Sequence, residues 1–324
     1  MQEERALIPQ GEVPEIASGN VPRQVEEAGA AASFAWEEFF IGKIRNPHTR
    51  HAYLTAVRRF LAWLEPQGIP LAKITPGMVG QYFDSLSLSI PSKKLHLAGI
   101  RAFFDTLVVR HVMVLNPALS VRTERYSAIE GKTPEITVEQ ARKLLASIPL
   151  KSLIDLRDRA IIGVLIYTAA RAGAVAKLKM RDLMPDGGLM VLRFAEKGGK
   201  ARTIPVRHDL QSALQDYLFA TGVESDTKDS PLFRSHRLTG LPSAQAIKAG
   251  DICRMVKRRL KAAGLSTLIS PHSFRSCAAT DLLVQGVPLE DVQYLLGHSV
   301  SRTTQLYDRR RRQVTRNIVE RISV

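Results

Sequence analysis

From Phe34 onward, apolar residues recur at three- and four-residue intervals, the signature of helices that bury one face. In 46-NPHTRHAYLTAVRRFLAWLEPQG-68, Tyr53, Val57, Phe60, Leu61 and Leu64 fall on one stripe, and Pro66 and Gly68 end it. Thr75-Pro76 opens a second helix (MVGQYFDSL), with proline at its first position. A third, 91-PSKKLHLAGIRAFFDTLVVR-110, sets Leu97, Ile100, Phe103, Phe104 and Leu107 opposite Lys93, Lys94 and Arg101. Residues 34–117 therefore read as an all-helical domain of about four helices.

The pattern then weakens. Residues 118–135 have few apolar anchors and read as a linker. Thr137 begins a capped helix (TVEQARKLLASI), followed by a long apolar helix, 153-LIDLRDRAIIGVLIYTAAR-171. Two β-prone runs, 189-LMVLRF-194 and 202-RTIPV-206, flank 195-AEKGGKA-201, whose Gly198-Gly199 marks a hairpin. The remainder reads as helical to the end. The second domain, 136–310, is thus mainly α with a small antiparallel β-sheet (α+β). Residues 1–33 are acidic and broken by Pro and Gly, a composition that predicts disorder. At the other end, Val314, Ile318 and Ile322 form an apolar stripe in the tail helix 311–324.

Charge narrows the partner. The chain of 324 residues carries a net +15 and a pI near 10.1, so a polyanion is expected. Residues 1–33 hold two basic and six acidic side chains, 34–132 hold 13 and seven, and 133–324 hold 31 and 18. The excess lies in both domains. A membrane is not expected, since no run approaches ~18 uncharged apolar residues. Cys253 and Cys277 are too few for a disulfide framework, which fits a reducing, cytoplasmic setting.

The candidate chemistry lies in 268-LISPHSFRSCAATDLLVQGVPLEDVQYLLGHSVSRTTQLYDRR-310 and two earlier places. Taken singly, Arg171, Lys197, His272, Arg275, His298 and Tyr307 each have an ordinary account as a surface, turn, cap or packing residue. Together they fit a phosphodiester. Two arginines match non-bridging oxygens with bidentate geometry. A phenol can attack phosphorus, a hairpin lysine can protonate a leaving oxygen, and histidines can handle protons near neutral pH.

At this point the residues resemble the tyrosine recombinase (phage integrase) family, of the Xer-type and transposon-borne kind. Segment 167-YTAARAGAVAKLKMRDL-183 is similar to its first-arginine box, 272-HSFR-275 to its His-x-x-Arg box, and 297-GHSVSRTTQLY-307 to its Gly-His box and nucleophile. The hairpin 197-KGGKARTIPV-206 resembles the turn bearing the catalytic lysine. Segment 92-SKKLHLAGIRAFFDTL-107 with 116-NP-117 resembles the end of the helical, SAM-like core-binding domain. The resemblance runs from about residue 34 to 310 and implies a site-specific recombinase working through a covalent 3′-phosphotyrosyl intermediate. It implies Tyr307 as nucleophile, Arg171 and Arg275 as phosphate clamp, and Lys197 as general acid, with Lys200 as the alternative. His272 and His298 would assist. No cofactor and no metal are implied, and double-stranded DNA carrying a specific site is the expected partner, bound by a tetramer. Lys93, Lys94, Arg101, Lys200 and Arg202 are the expected DNA contacts. The tail 311–324 is expected to dock on a neighbouring protomer, and no arm-binding module is expected before residue 34.

Two departures stand out. Where the family carries an acidic residue three positions after its first arginine, this chain has Ala174, so orientation would fall to Asp182 or a backbone carbonyl. The usual Thr-Gly-Leu before that arginine is Thr168, Ala169 and Ala170. A type IB topoisomerase, a metal-dependent nuclease and an inactive DNA-binding relative are the competing readings.

Overall fold

Helix starts are decided by side chains that satisfy the first free amide groups. In the computed structural model, Asn46 Oδ1 accepts from the His48 amide at 2.9 Å and opens α3 (Pro47–Leu64). Thr75 caps α4 (Pro76–Ser85), and α5 (Ile90–Val109) begins on its own proline. The structure describes residues 21–125, 134, 136–195, 201–237, 239–297 and 304. It divides into two compact units, Met1–Ser127 and Ala128–Val324.

The first unit is all-helical among its described residues. An aromatic cluster of Trp36, Phe39, Phe40, Phe60, Phe103 and Phe104 fills its core. Here the acidic segment departs from expectation. Residues within 1–33 form α1 (Arg23–Glu27) and the start of α2 (Ala30–Glu37). Val25 and Ala32 are fully buried, and Gln24 Nε2 donates to the Leu61 carbonyl at 2.8 Å, so this stretch does gain a partner for its apolar side chains. The expectation for residues 1–20 lies outside the described residues.

α3 and α5 cross closely because Gly99 has no side chain. A Cβ there would stand 3.0 Å from Tyr53 Cδ1 and 3.2 Å from the Tyr53 Cα. Gly99→Val is expected to lower the stability of this unit by about 2 kcal/mol, the cost of forcing apart a packed crossing. Chemical denaturation followed by tryptophan fluorescence checks it; a midpoint unchanged from wild type would mean the crossing has room.

The presumed linker is also ordered at its start. Ala118 is fully buried. Arg101 donates through Nε to the Ala118 carbonyl at 2.9 Å and through Nη2 to the Val121 carbonyl, while Lys93 pairs with Glu124 at 3.2 Å. The chain leaving α5 therefore runs back along it as far as residue 124.

In the second unit, α6 (Val138–Ala146) and α7 (Leu153–Tyr167) both begin with capping boxes, from Thr137 with Gln140 and Ser152 with Asp155. α7 is the central helix, with Ala160, Ile161, Ile162, Val164 and Leu165 fully buried. The chain continues through the short α8 (Ala172–Val175), then β1 (Leu183–Asp186), β2 (Leu189–Ala195) and β3 (Ala201–Pro205). These strands form an antiparallel meander in which Gly187 and Gly188, at φ 55° and 84°, supply the first reversal. Then come α9 (His208–Thr221), the hairpin β4 (Arg234–His236) and β5 (Pro242–Ala246), α10 (Ala249–Ala262), α11 (Pro271–Val284) and α12 (Leu289–Leu296). The β1 strand and the β4–β5 hairpin were not expected. β1 contains Pro185, tolerable at an edge, and β4–β5 is polar, so neither shows an apolar alternation.

A buried ionic hub ties α7 to α10. Asp158, with no exposed surface, accepts from Arg157 Nη2 at 2.9 Å, Arg258 Nη2 at 2.6 Å and Arg259 Nε at 2.9 Å. Arg259 Nη2 also reaches Asp155 at 2.7 Å. Beside it, burial and the Arg157 charge push the His236 imidazole down to about 4, against opposing pulls from Asp158 and the Gly240 backbone. The unfolded chain takes up this proton near pH 6.5, before the folded one does. Stability is thus complete above pH 6.5 and lost as pH falls toward 4. The loss is expected to be of order 2 kcal/mol after allowing for partial solvent access. Thermal melts of wild type and His236→Gln across this range check it, the variant showing a shallower decline. Parallel pH profiles would show that His236 does not carry the effect.

No helix among the described residues is long and apolar enough to cross a membrane.

Candidate active site

The long apolar helix does not run to Arg171. It closes at Thr168, whose amide and Oγ1 both donate to the Val164 carbonyl, at 3.1 and 2.7 Å. Ala169 then takes the left-handed conformation, φ 50°, and turns the chain. Arg171 lands beyond the turn in extended backbone, exposed, at the start of α8, where its carbonyl accepts from the Ala174 amide at 2.8 Å. The turn carries this arginine off the helix axis and into the open.

α11 supplies the second group. Ser270 and Ser273 form its capping box and Pro271 occupies the first position. His272 and Arg275 lie three residues apart, hence on the same face. His272 is an exposed residue, while Arg275 is 1% exposed. Partial burial first, then the guanidinium charges of Arg275 and Arg171, hold the His272 imidazole below its ordinary value. Arg275 also donates to the carbonyl of Ala169, two residues before Arg171, which ties the face of α11 to the turn that carries Arg171.

Arg275 is held by main chain. Nη1 donates to the Ala169 carbonyl at 2.7 Å and Nη2 to the Leu296 carbonyl. Leu296 is the last residue of α12, and Gly297, at φ 59°, ends the helix and leaves that carbonyl without an amide of its own helix. Asp182 is occupied elsewhere, its Oδ2 accepting from the Lys179 amide at 2.8 Å. Sequence reasoning allowed for a carbonyl in this role but did not identify Ala169 or Leu296. The visible signal was an apolar helix meeting Gly297, and an alanine where glycine usually turns the chain.

Lys197 and Lys200 lie outside the described residues, as do His298 and Tyr307. The strand register Ala195↔Ala201 fixes both ends of the lysine segment. Thr304, three residues before Tyr307, is fully buried.

The expected DNA contacts divide. Lys94 is exposed. Lys93 is mostly covered and paired with Glu124, and Arg101 is spent on the carbonyls of residues 118 and 121. Arg202 is 4% exposed and lies 5.3 Å over the Phe194 ring, its partner across the strands. Arg101 and Arg202 are therefore each engaged within the fold. Periodicity placed Arg101 on a polar helix face and Arg202 beside a glycine-rich turn, but neither pattern nor charge reveals a nearby carbonyl or ring.

Residues 134–313 match the model of the phage integrase family, and residues 36–111 match that of the phage integrase N-terminal SAM-like domain. The chain belongs to the phage integrase family. Tyrosine recombinase XerD of Chlorobaculum tepidum is 30% identical over 274 residues, covering 80% of this chain and 85% of that protein. Tyrosine recombinase XerC of Pelobacter propionicus is 30% identical over 268 residues, covering 81% and 84%. The fold is that of XerH bound to a palindromic difH substrate, a post-cleavage complex, with a TM-score of 0.69 at 18% identity over 92% of this chain and 90% of that one. This integrase-family chain is accordingly a DNA-binding, tyrosine-type site-specific recombinase, which cleaves and rejoins strands through a covalent 3′-phosphotyrosyl intermediate.

Proposed function

We propose that Tyr307 is the nucleophile and that Arg171 and Arg275 receive the scissile phosphate. The tyrosine Oη bonds to phosphorus, the bond to the 5′-oxygen breaks, and Lys197 supplies the proton that the departing oxygen takes up. His272, held neutral by its surroundings, is fit to accept the tyrosine proton, with His298 as a second phosphate donor. The two guanidinium groups supply the positive charge that the transition state requires, so no step is routed through a metal. What supports this reading is the junction of α11 with the turn before Arg171, where Arg275, on the same helix face as His272, donates to the Ala169 carbonyl.

The partner proposed is double-stranded DNA with a specific recombination site, bound in the cytoplasm. Residues through 117 would form the core-binding domain and 136–310 the catalytic one. Four protomers would assemble on two synapsed sites, with the tail 311–324 of each docking on its neighbour. Integration, excision and resolution are all served by this chemistry.

A duplex nicked near the cleavage point tests the proposal, because the short fragment diffuses away and traps the intermediate. Covalent protein–DNA adduct is expected in excess EDTA, with the phosphate mapped by peptide sequencing to Tyr307. Cleavage that stops in EDTA would favour a metal-dependent nuclease. A 5′-sulfur leaving group needs no proton, so it should rescue Lys197→Ala; rescue of Lys200→Ala instead would move the acid to that residue.

A further inference from the structure

Ala169 is fully buried and sits at φ 50°, a conformation that glycine adopts freely and alanine does not. Two independent features converge on it. Its methyl group is seated in a small cluster with Ala279, Leu283, Val292 and Leu296, contributed by α11 and α12. Its carbonyl accepts from Arg275 Nη1 at 2.7 Å. The other terminal nitrogen of Arg275 donates to the Leu296 carbonyl, next to the left-handed Gly297. Two chain reversals, each built on a left-handed residue, therefore aim main-chain oxygens at one guanidinium. Glycine at 169 would allow the turn but leave the peptide plane free to rotate. The packed alanine methyl removes that freedom.

We propose that Ala169 is a positioning residue for strand cleavage. Its left-handed backbone directs its carbonyl onto Arg275 and, with the Leu296 carbonyl, sets the plane of the guanidinium that meets the phosphate. The chain thereby orients an arginine with main chain where position 174 offers only a methyl group. The inference rests on the assignment of Arg275 to the scissile phosphate.

Replacing Ala170 by lactic acid through nonsense suppression turns the 169–170 amide into an ester. The Ala169 carbonyl becomes a weaker acceptor while the side chains stay as they are. Single-turnover cleavage of the nicked duplex at saturating DNA is expected to slow about fivefold, with DNA affinity unchanged. Ala169→Gly keeps the amide carbonyl and the turn but frees the peptide plane, so it should slow cleavage by about two- to threefold. A purely structural role would lower the melting temperature of both variants without changing the rate of the folded protein at saturation. The inference is overturned if the ester protein cleaves at the wild-type rate while Arg275→Ala is inactive. If Arg275→Ala itself cleaves normally, the assignment of Arg275 falls first. Should the ester chain not fold, Ala169→Gly decides: cleavage at the wild-type rate at saturating DNA would overturn the inference, and slowing by about two- to threefold with unchanged affinity would support it.

Discussion

Tyr307→Phe is expected to bind its DNA site as tightly as the wild-type recombinase and to form no covalent adduct. The substitution removes one oxygen and leaves every charge and most contact area in place, so affinity has no reason to change. Cleavage depends on that oxygen alone. Its loss should cost on the order of 10⁴-fold or more, as in enzymes stripped of a covalent nucleophile. A denaturing gel of labelled, nicked duplex reads the adduct directly, and a mobility shift reads binding. Tyr294 is the informative control, since it is 66% exposed on α12 and only 13 residues from Tyr307 in the chain. Tyr294→Phe should form adduct normally. Adduct formed by Tyr307→Phe but not by Tyr294→Phe would relocate the nucleophile to α12. Tyr217 is not a rival, being fully buried with its phenol raised by burial.

The helices of the first unit were legible because their apolar residues obey one period and their starts carry caps: Asn46 before Pro47 and Thr75 before Pro76. Ser152 with Asp155 marks the start of α7 in the same way. What period cannot show is where a helix ends when the next residues are also apolar or small. Thr168, Ala169 and Ala170 continue the pattern of α7, yet the backbone turns left-handed at Ala169 and throws Arg171 clear. Averaging over residues 1–33 hid the short run from Val25 to Ala32, whose apolar side chains find the aromatic core. The His272–Arg275 pair was readable because a spacing of three on a helix fixes a shared face. Its surroundings were not, because carbonyl groups belong to every residue and only the folded chain decides which ones point inward. Arg202 shows the same limit from the other side. A basic residue beside a glycine-rich turn looks like a DNA contact, and the Phe194 ring beneath it is visible only once the strands pair.

Arg171→Ala and Arg275→Ala should be alike in catalysis and unlike in stability. Each removes one donor to the charge that builds on the phosphate, and each is expected to slow single-turnover cleavage by roughly 10²- to 10³-fold. Arg171 is exposed beyond its turn, so its loss should change folding stability by no more than about 0.5 kcal/mol. Arg275 is 1% exposed and satisfies the carbonyls of Ala169 and Leu296. Truncating it leaves two interior acceptors without donors, at about 1–3 kcal/mol each, or about 3 kcal/mol together after relaxation. A catalytic unit of this size should then melt roughly 6–12 °C lower. Arg275→Lys separates the two functions. A lysine ammonium can still donate to one carbonyl and recover part of the stability, but it lacks the planar fork and should not recover the rate. Melting curves and nicked-duplex kinetics on the same three proteins check this. Equal melting temperatures for Arg171→Ala and Arg275→Ala would mean that the two carbonyls find other donors, and that Arg275 serves the phosphate without also joining α11 to the end of α12.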